Sequence, residues 1–85
     1  MISSRPLNWS LETWPVAQLV TLIRHSLDSG KVDDLVDSLR TGHELPPIIV
    51  LVDGQKATIL DGHHRVAAWQ KAGLQEAPVF VARPK

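Results

Sequence analysis

The run Thr58-Ile59-Leu60-Asp61-Gly62-His63-His64-Arg65-Val66-Ala67-Ala68-Trp69-Gln70-Lys71-Ala72-Gly73 limits the folds open to this chain more than any other. It reads as a strand that turns sharply and opens a helix. Ala57 to Leu60 is apolar but too short for a helix. Asp61 is a good N-cap residue, and Gly62 permits a tight turn or the close approach of a ligand. His63 to Ala72 lacks Gly and Pro and is rich in helix formers. Gly73 ends it, with Leu74 placed to pack back. The first amides of such a helix have no partner within it. Two His and one Arg crowd the same end. Free amides beside cationic side chains make an anion site, most simply one for phosphate.

With 85 residues, the chain is sized for one small domain. Its formal net charge is zero. Residues 1–43 carry four Lys/Arg and five Asp/Glu, and residues 44–85 carry five and four, so neither half is a basic arm. Strong duplex DNA binding through phosphate neutralisation is not expected from that balance. There is no Cys, hence no disulfide, thiolate nucleophile or thiolate metal site. No apolar run is long enough to span a membrane, and the N-terminus does not read as a leader, so a cytoplasmic protein is expected.

Residues 1–13 are weakly patterned. Pro6, Asn8 and Ser10 interrupt the apolar positions, which predicts an N-terminal arm with Trp9 and Trp14 as anchors. Residues 14–85 then form a single domain. Val16 to Ile23, apolar and β-branched after Pro15, predicts a strand over its first part, although Ala17-Gln18-Leu19 also suits a helix. Lys31 to Arg40 predicts a helix: Val32, Leu35, Val36 and Leu39 make one apolar stripe. Its cap is Ser29 or Asp28. Pro46-Pro47 forces extension. Ile48 to Val52 is uniformly apolar, as in a strand buried on both faces. Asp53-Gly54 signals a tight turn, and Lys56 to Leu60 returns. Pro78 to Ala82 makes a last strand. The result is an α+β domain, a small mixed sheet with helices on one face.

Several stretches now fit one pattern: Leu45-Pro46-Pro47-Ile48-Ile49-Val50, Asp61-Gly62-His63-His64-Arg65, Ala72-Gly73-Leu74 and Ala77-Pro78-Val79. Over Pro15 to Ala82 they resemble the ParB/sulfiredoxin superfamily. The N-terminal domain of ParB binds nucleotide phosphates at a Gly-x-x-Arg segment after a strand. Sulfiredoxin carries Gly-Cys-His-Arg there, with Leu-Ile-Arg and Lys-Val segments upstream, matched here by Leu22-Ile23-Arg24 and Lys31-Val32. Free serine kinase carries Asp-Gly-His-His-Arg as it stands here. The resemblance implies that Gly62, His63, His64 and Arg65, with Arg24 and Lys31, surround nucleotide phosphate. ATP, ADP or CTP is then the expected ligand, with Mg²⁺ as an option.

The departures narrow the chemistry. The attacking Cys of sulfiredoxin is replaced by His63, so its thiolate reaction is excluded. An 85-residue chain is expected to hold neither the helix-turn-helix and dimerisation domains of ParB nor the second domain of the kinase. Asp61 leaves two arrangements open. Capping the helix, it would occupy the amides and repel phosphate. With Gly62 as cap, it is left to orient Arg65 or a substrate hydroxyl, or to hold Mg²⁺. His63 and His64 diverge by about 100° on a helix and do not share a metal, and no spacing supplies a zinc site. Trp69 is expected in the core. His25 and His43 are given no role.

Three function classes follow. The first is nucleotide binding. The second is catalysis, as a phosphotransferase, nucleotide hydrolase or nuclease, with His63 and Asp61 as the proton-transfer residues. The third is a non-catalytic interaction module docking through Trp9 and Trp14. A homodimer is compatible with the small size.

Overall fold

Pro15 is the pivot of the N-terminal third. The computed structural model describes residues 6–85. Strand β1 runs Leu7–Pro15, and helix α1, Val16–Val20, starts at the next residue with Pro15 as its cap at φ −61° and ψ 131°. Residues 7–13, expected as an arm, therefore lie in a strand, and residues 1–5 fall outside the described part. The strand expected over the first part of Val16–Ile23 is a correction: it is a helical turn that buries Val16 and Leu19, three residues apart. The fixed φ of Pro15 suits a helix start, and its nitrogen, on the outward side of β1, costs the pairing with Glu76 of β4 nothing.

Helix α2, Ser29–Arg40, buries Val32 and Val36 of the apolar stripe. Its cap is Asp28, whose Oδ1 accepts from the N–H groups of Gly30 at 2.9 Å and Lys31 at 3.2 Å. Strands β2, Ile48–Asp53, and β3, Lys56–Asp61, form the expected hairpin. Asp53 pairs with Lys56, so Gly54-Gln55 is the two-residue loop. Gly54 holds φ +63°, the left-handed value that this turn needs at its first central position. Helix α3 is His63–Lys71 and strand β4 is Glu76–Pro84.

The sheet order is β1-β4-β2-β3. β1 runs antiparallel to β4, β2 parallel to β4, and β3 antiparallel to β2, a mixed sheet. The helices cover one face. Leu19, Ile48, Val50, Val66, Val79 and Val81 are fully buried between the two layers. Each such side chain contributes roughly 1.5–3 kcal/mol of transfer free energy. Trp69 is in this core, as expected. α2 packs through Val32 and Val36 on Ala68 of α3. β3 is the terminal strand and pairs with β2, so its C-terminal end and the start of α3 lie at one edge of the sheet.

Candidate functional site

The β3–α3 junction turns on Gly62. It is the N-cap of α3 at φ +109°, and its carbonyl accepts the Val66 N–H at 3.1 Å. Among the described residues no side chain caps this helix. The amides of His63, His64 and Arg65 have no acceptor within α3 and face the front of it. Asp61 does not cap. Its Oδ2 accepts from Arg65 Nη2 at 2.9 Å, so of the two arrangements open in the sequence the second holds, with Asp61 orienting Arg65.

Gly62 is needed for packing as much as for conformation. A Cβ there would lie 2.5 Å from Cγ2 of Ile48 and 3.1 Å from Nε of Arg65. The close approach expected of a ligand is made by the protein's own side chains. Arg65 Nη1 also donates to the carbonyls of Pro46 and Pro47, at 3.2 Å each. The Pro46-Pro47 segment, unable to donate at its own nitrogens, is pinned to the elbow by this guanidinium. Five N–H groups less three bonds leave at least two for another acceptor.

In front of the elbow is an open cleft of about 620 Å³. Asp61, Gly62, His63, His64 and Arg65 form one wall, and His25, Leu27, Leu35, Leu45, Pro46 and Leu60 complete it. Five of the residues singled out in the sequence thus converge. Arg24 and Lys31 do not line the cleft. Both are exposed, and the Lys31 amide is held by Asp28. His25 is the residue that sequence reasoning missed. Its ring meets His63 edge-on, with centroids 4.6 Å apart and planes at 66°. No spacing in the sequence signals this contact, because a loop brings His25 across.

The two adjacent histidines do different things. His64 Nε2 accepts the Asp28 N–H at 3.0 Å, tying the cap of α2 to the start of α3. That bond requires a lone pair on Nε2. His63 is half-buried; burial above all, then His25 and His64, lowers its pKa from the ordinary 6.5, with Asp61 pulling the other way. A neutral imidazole beside free amides can accept a proton or a hydrogen bond from a ligand. Among the described residues no group of three or more His, Cys, Asp or Glu is placed to hold a metal ion.

The mixed sheet, one-sided helices and Asp-Gly-His-His-Arg elbow define a domain of the ParB/sulfiredoxin superfamily. The family model of the ParB N-terminal domain matches residues 10–85, and the chain belongs to that family. It is 38% identical over 58 residues to the probable chromosome-partitioning protein ParB of Coxiella burnetii and, to the same extent, to the chromosome-partitioning protein ParB of Myxococcus xanthus. Each match covers 68% of this chain, which spans only about 20% of the length of those relatives. Among solved structures, sulfiredoxin from Arabidopsis thaliana is similar at a TM-score of 0.66 and 28% identity, over 85% of this chain and 83% of that one. A pNOB8-like ParB N-domain is similar in fold, at a TM-score of 0.63 and 19% identity, over 94% of this chain and 32% of that one. Among the described residues no helix is long and apolar enough to cross a membrane.

Proposed function

We propose that this ParB N-terminal domain binds a nucleotide through its phosphates at the mouth of α3. The observation that carries the reading is the uncapped helix start opening on the cleft, with Asp61 withdrawn to Arg65. Three amides supply oriented donors, and the helix dipole adds positive potential. Arg65 braces the elbow and offers its remaining N–H groups. Leu27, Leu35 and Leu45 give the cleft an apolar side suited to a base or ribose. Asp61, with one carboxylate oxygen not engaged by Arg65, is the residue that would hold Mg²⁺, and the cation would offset phosphate charge.

Isothermal titration with ATP, ADP and CTP, with and without Mg²⁺, tests this. Saturable binding to the wild type, weakened at least tenfold by His63→Glu, supports it. Silence at millimolar ligand rejects it.

Catalysis is a second reading, favoured by one observation: His63 faces the cleft and is biased toward its neutral form. It could take the proton of a water or hydroxyl attacking a bound phosphate. Asp61 already has one carboxylate oxygen engaged by Arg65. Phosphate release above buffer, lost in His63→Ala and retained in Asp61→Asn, would establish this reading; no release leaves binding alone.

A further inference from the structure

The free edge of β1 carries a second feature, at the opposite side of the sheet from the cleft. Leu7, Trp9 and Leu11 point to the face that the helices leave open, where Phe80 of β4 lies opposite Leu11. Trp9 is 55% exposed, Leu11 62% and Phe80 40%. The backbone of β1 is equally open. Pro6 C=O accepts from Lys85 N–H and Val16 N–H donates to Gln75 C=O, and both pairs continue the β1–β4 register. Inward bonding therefore falls on the even-numbered residues, as the alternation of an antiparallel ladder requires. The N–H groups of Leu7, Trp9, Leu11 and Thr13 point outward, and among the described residues nothing covers them.

The other edge of the sheet is guarded. β3 is short, starts with Lys56, and is offset by an irregularity between Ile49 and Val50 of its neighbour. Such devices block edge pairing. β1 is guarded only at its ends: it is nine residues long, its one Pro is the last residue, and its one charged side chain, Glu12, is already neutralised by a two-pronged contact from Arg83 of β4.

We infer that two copies of this chain pair antiparallel along β1, making one eight-stranded sheet with both open faces on the same side. A second copy is the occupant that the chemistry fits. Pro6 and Pro15 bracket the run of outward N–H groups and so limit the register. Centring the two-fold axis on Ser10 sets Leu7 opposite Thr13 of the other copy and Trp9 opposite Leu11, so every outward N–H gains an acceptor. It also faces Glu12 with Asn8 of the other copy, an amide that can donate to it. Centring on Leu11 would bring the two Glu12 carboxylates onto one diagonal, and centring on Glu12 would oppose them directly. With no net charge along the seam, a charged partner strand finds no counter-charge here.

A nine-residue edge is about 30 Å long. With the exposed parts of Trp9, Leu11 and Phe80 it buries roughly 500 Å² per copy, less than the ~800 Å² of a standard interface. The dimer is accordingly weak and depends on concentration.

Sedimentation velocity on the 85-residue chain, from micromolar to millimolar concentration, tests the inference. A reversible monomer–dimer equilibrium is expected. Leu11→Pro removes one outward N–H without touching the β1–β4 bonds, and Leu11→Lys guards the edge with charge. Each should weaken association at least tenfold while circular dichroism stays unchanged. The chain has no Cys, so Ser10→Cys is a clean reporter: it should oxidise to a disulfide dimer, and Thr13→Cys should not. A monomer at every concentration, a dimer that survives both Leu11 variants, or cross-linking through Thr13→Cys in place of Ser10→Cys would overturn the proposal.

Discussion

Gly62 and Ile48 are in contact closely enough that no side chain fits between them: an added Cβ would sit 2.5 Å from Cγ2 of Ile48. Ile48 is fully buried at the start of β2, so it cannot move aside. Gly62→Ala therefore combines a steric clash with an unfavourable backbone angle at φ +109°. Overpacking costs about 1–3 kcal/mol and the conformational strain about 1–2 kcal/mol more. A loss of roughly 3 kcal/mol is expected in urea denaturation. A loss under about 0.5 kcal/mol, typical of a neutral surface change, would mean that the elbow is not packed this way.

Arg65 has a structural role that a lysine cannot fill. Its planar fork reaches Asp61 and two proline carbonyls at once, whereas an ammonium presents no fixed geometry. Its side chain is only 16% exposed. Arg65→Lys should lower stability by about 1–3 kcal/mol, the range for lost charge-assisted bonds. If stability is unchanged while nucleotide affinity falls, Arg65 serves the ligand and not the brace.

On the proposed reading, His63 links phosphate binding to pH. Its folded pKa lies below 6.5, so the unfolded chain binds the proton more readily. Its contribution to stability is fully present above pH 6.5 and is lost as pH falls through the folded value. A bound phosphate reverses this by favouring the imidazolium. Binding should then take up a fraction of a proton near pH 6, seen as a dependence of the titration heat on buffer ionisation enthalpy. His63→Gln should abolish that dependence. Binding with no proton uptake in the wild type would place the phosphate away from His63.

Glu12 offers an acid-side test of the edge strand. Arg83 first, then Ser10 and Trp14, hydrogen-bond its carboxylate and lower its pKa from 4.5 to about 2. The folded value is depressed, so this contribution is present above pH 4.5 and is lost as pH falls toward 2. Both partners of this ion pair are partly exposed, which limits the effect to under about 1 kcal/mol. Glu12→Gln should be slightly less stable than wild type at pH 6 and equal to it near pH 2. An equal gap at both pH values would show that the ion pair contributes nothing.

The sequence was most readable where one periodicity dominated. The Val32-Leu35-Val36-Leu39 stripe marks α2, and the apolar run 48–52 with Asp53-Gly54 marks the hairpin. The elbow was legible because strand, glycine and helix follow one another without a gap. α1 was obscured because five residues make too few turns for a helical period, and Val16 and Val20 resemble strand residues. β1 was obscured for a different reason. Leu7, Trp9 and Leu11 do alternate with Asn8, Ser10 and Glu12, but the apolar set faces solvent, inverted from the usual pattern. The cleft's far wall, His25 and Leu27, comes from a loop, and no local pattern reports where a loop will lie.

The central claim, that phosphate sits on the open amides of α3, is tested most directly by ¹⁵N–¹H correlation spectra recorded during titration with ATP and CTP. The largest shifts should fall on the amides of His63, His64 and Arg65, moving downfield as they donate, with smaller ones at His25 and Leu27. Unchanged amides at millimolar nucleotide, or shifts centred on another part of the sheet, would contradict it.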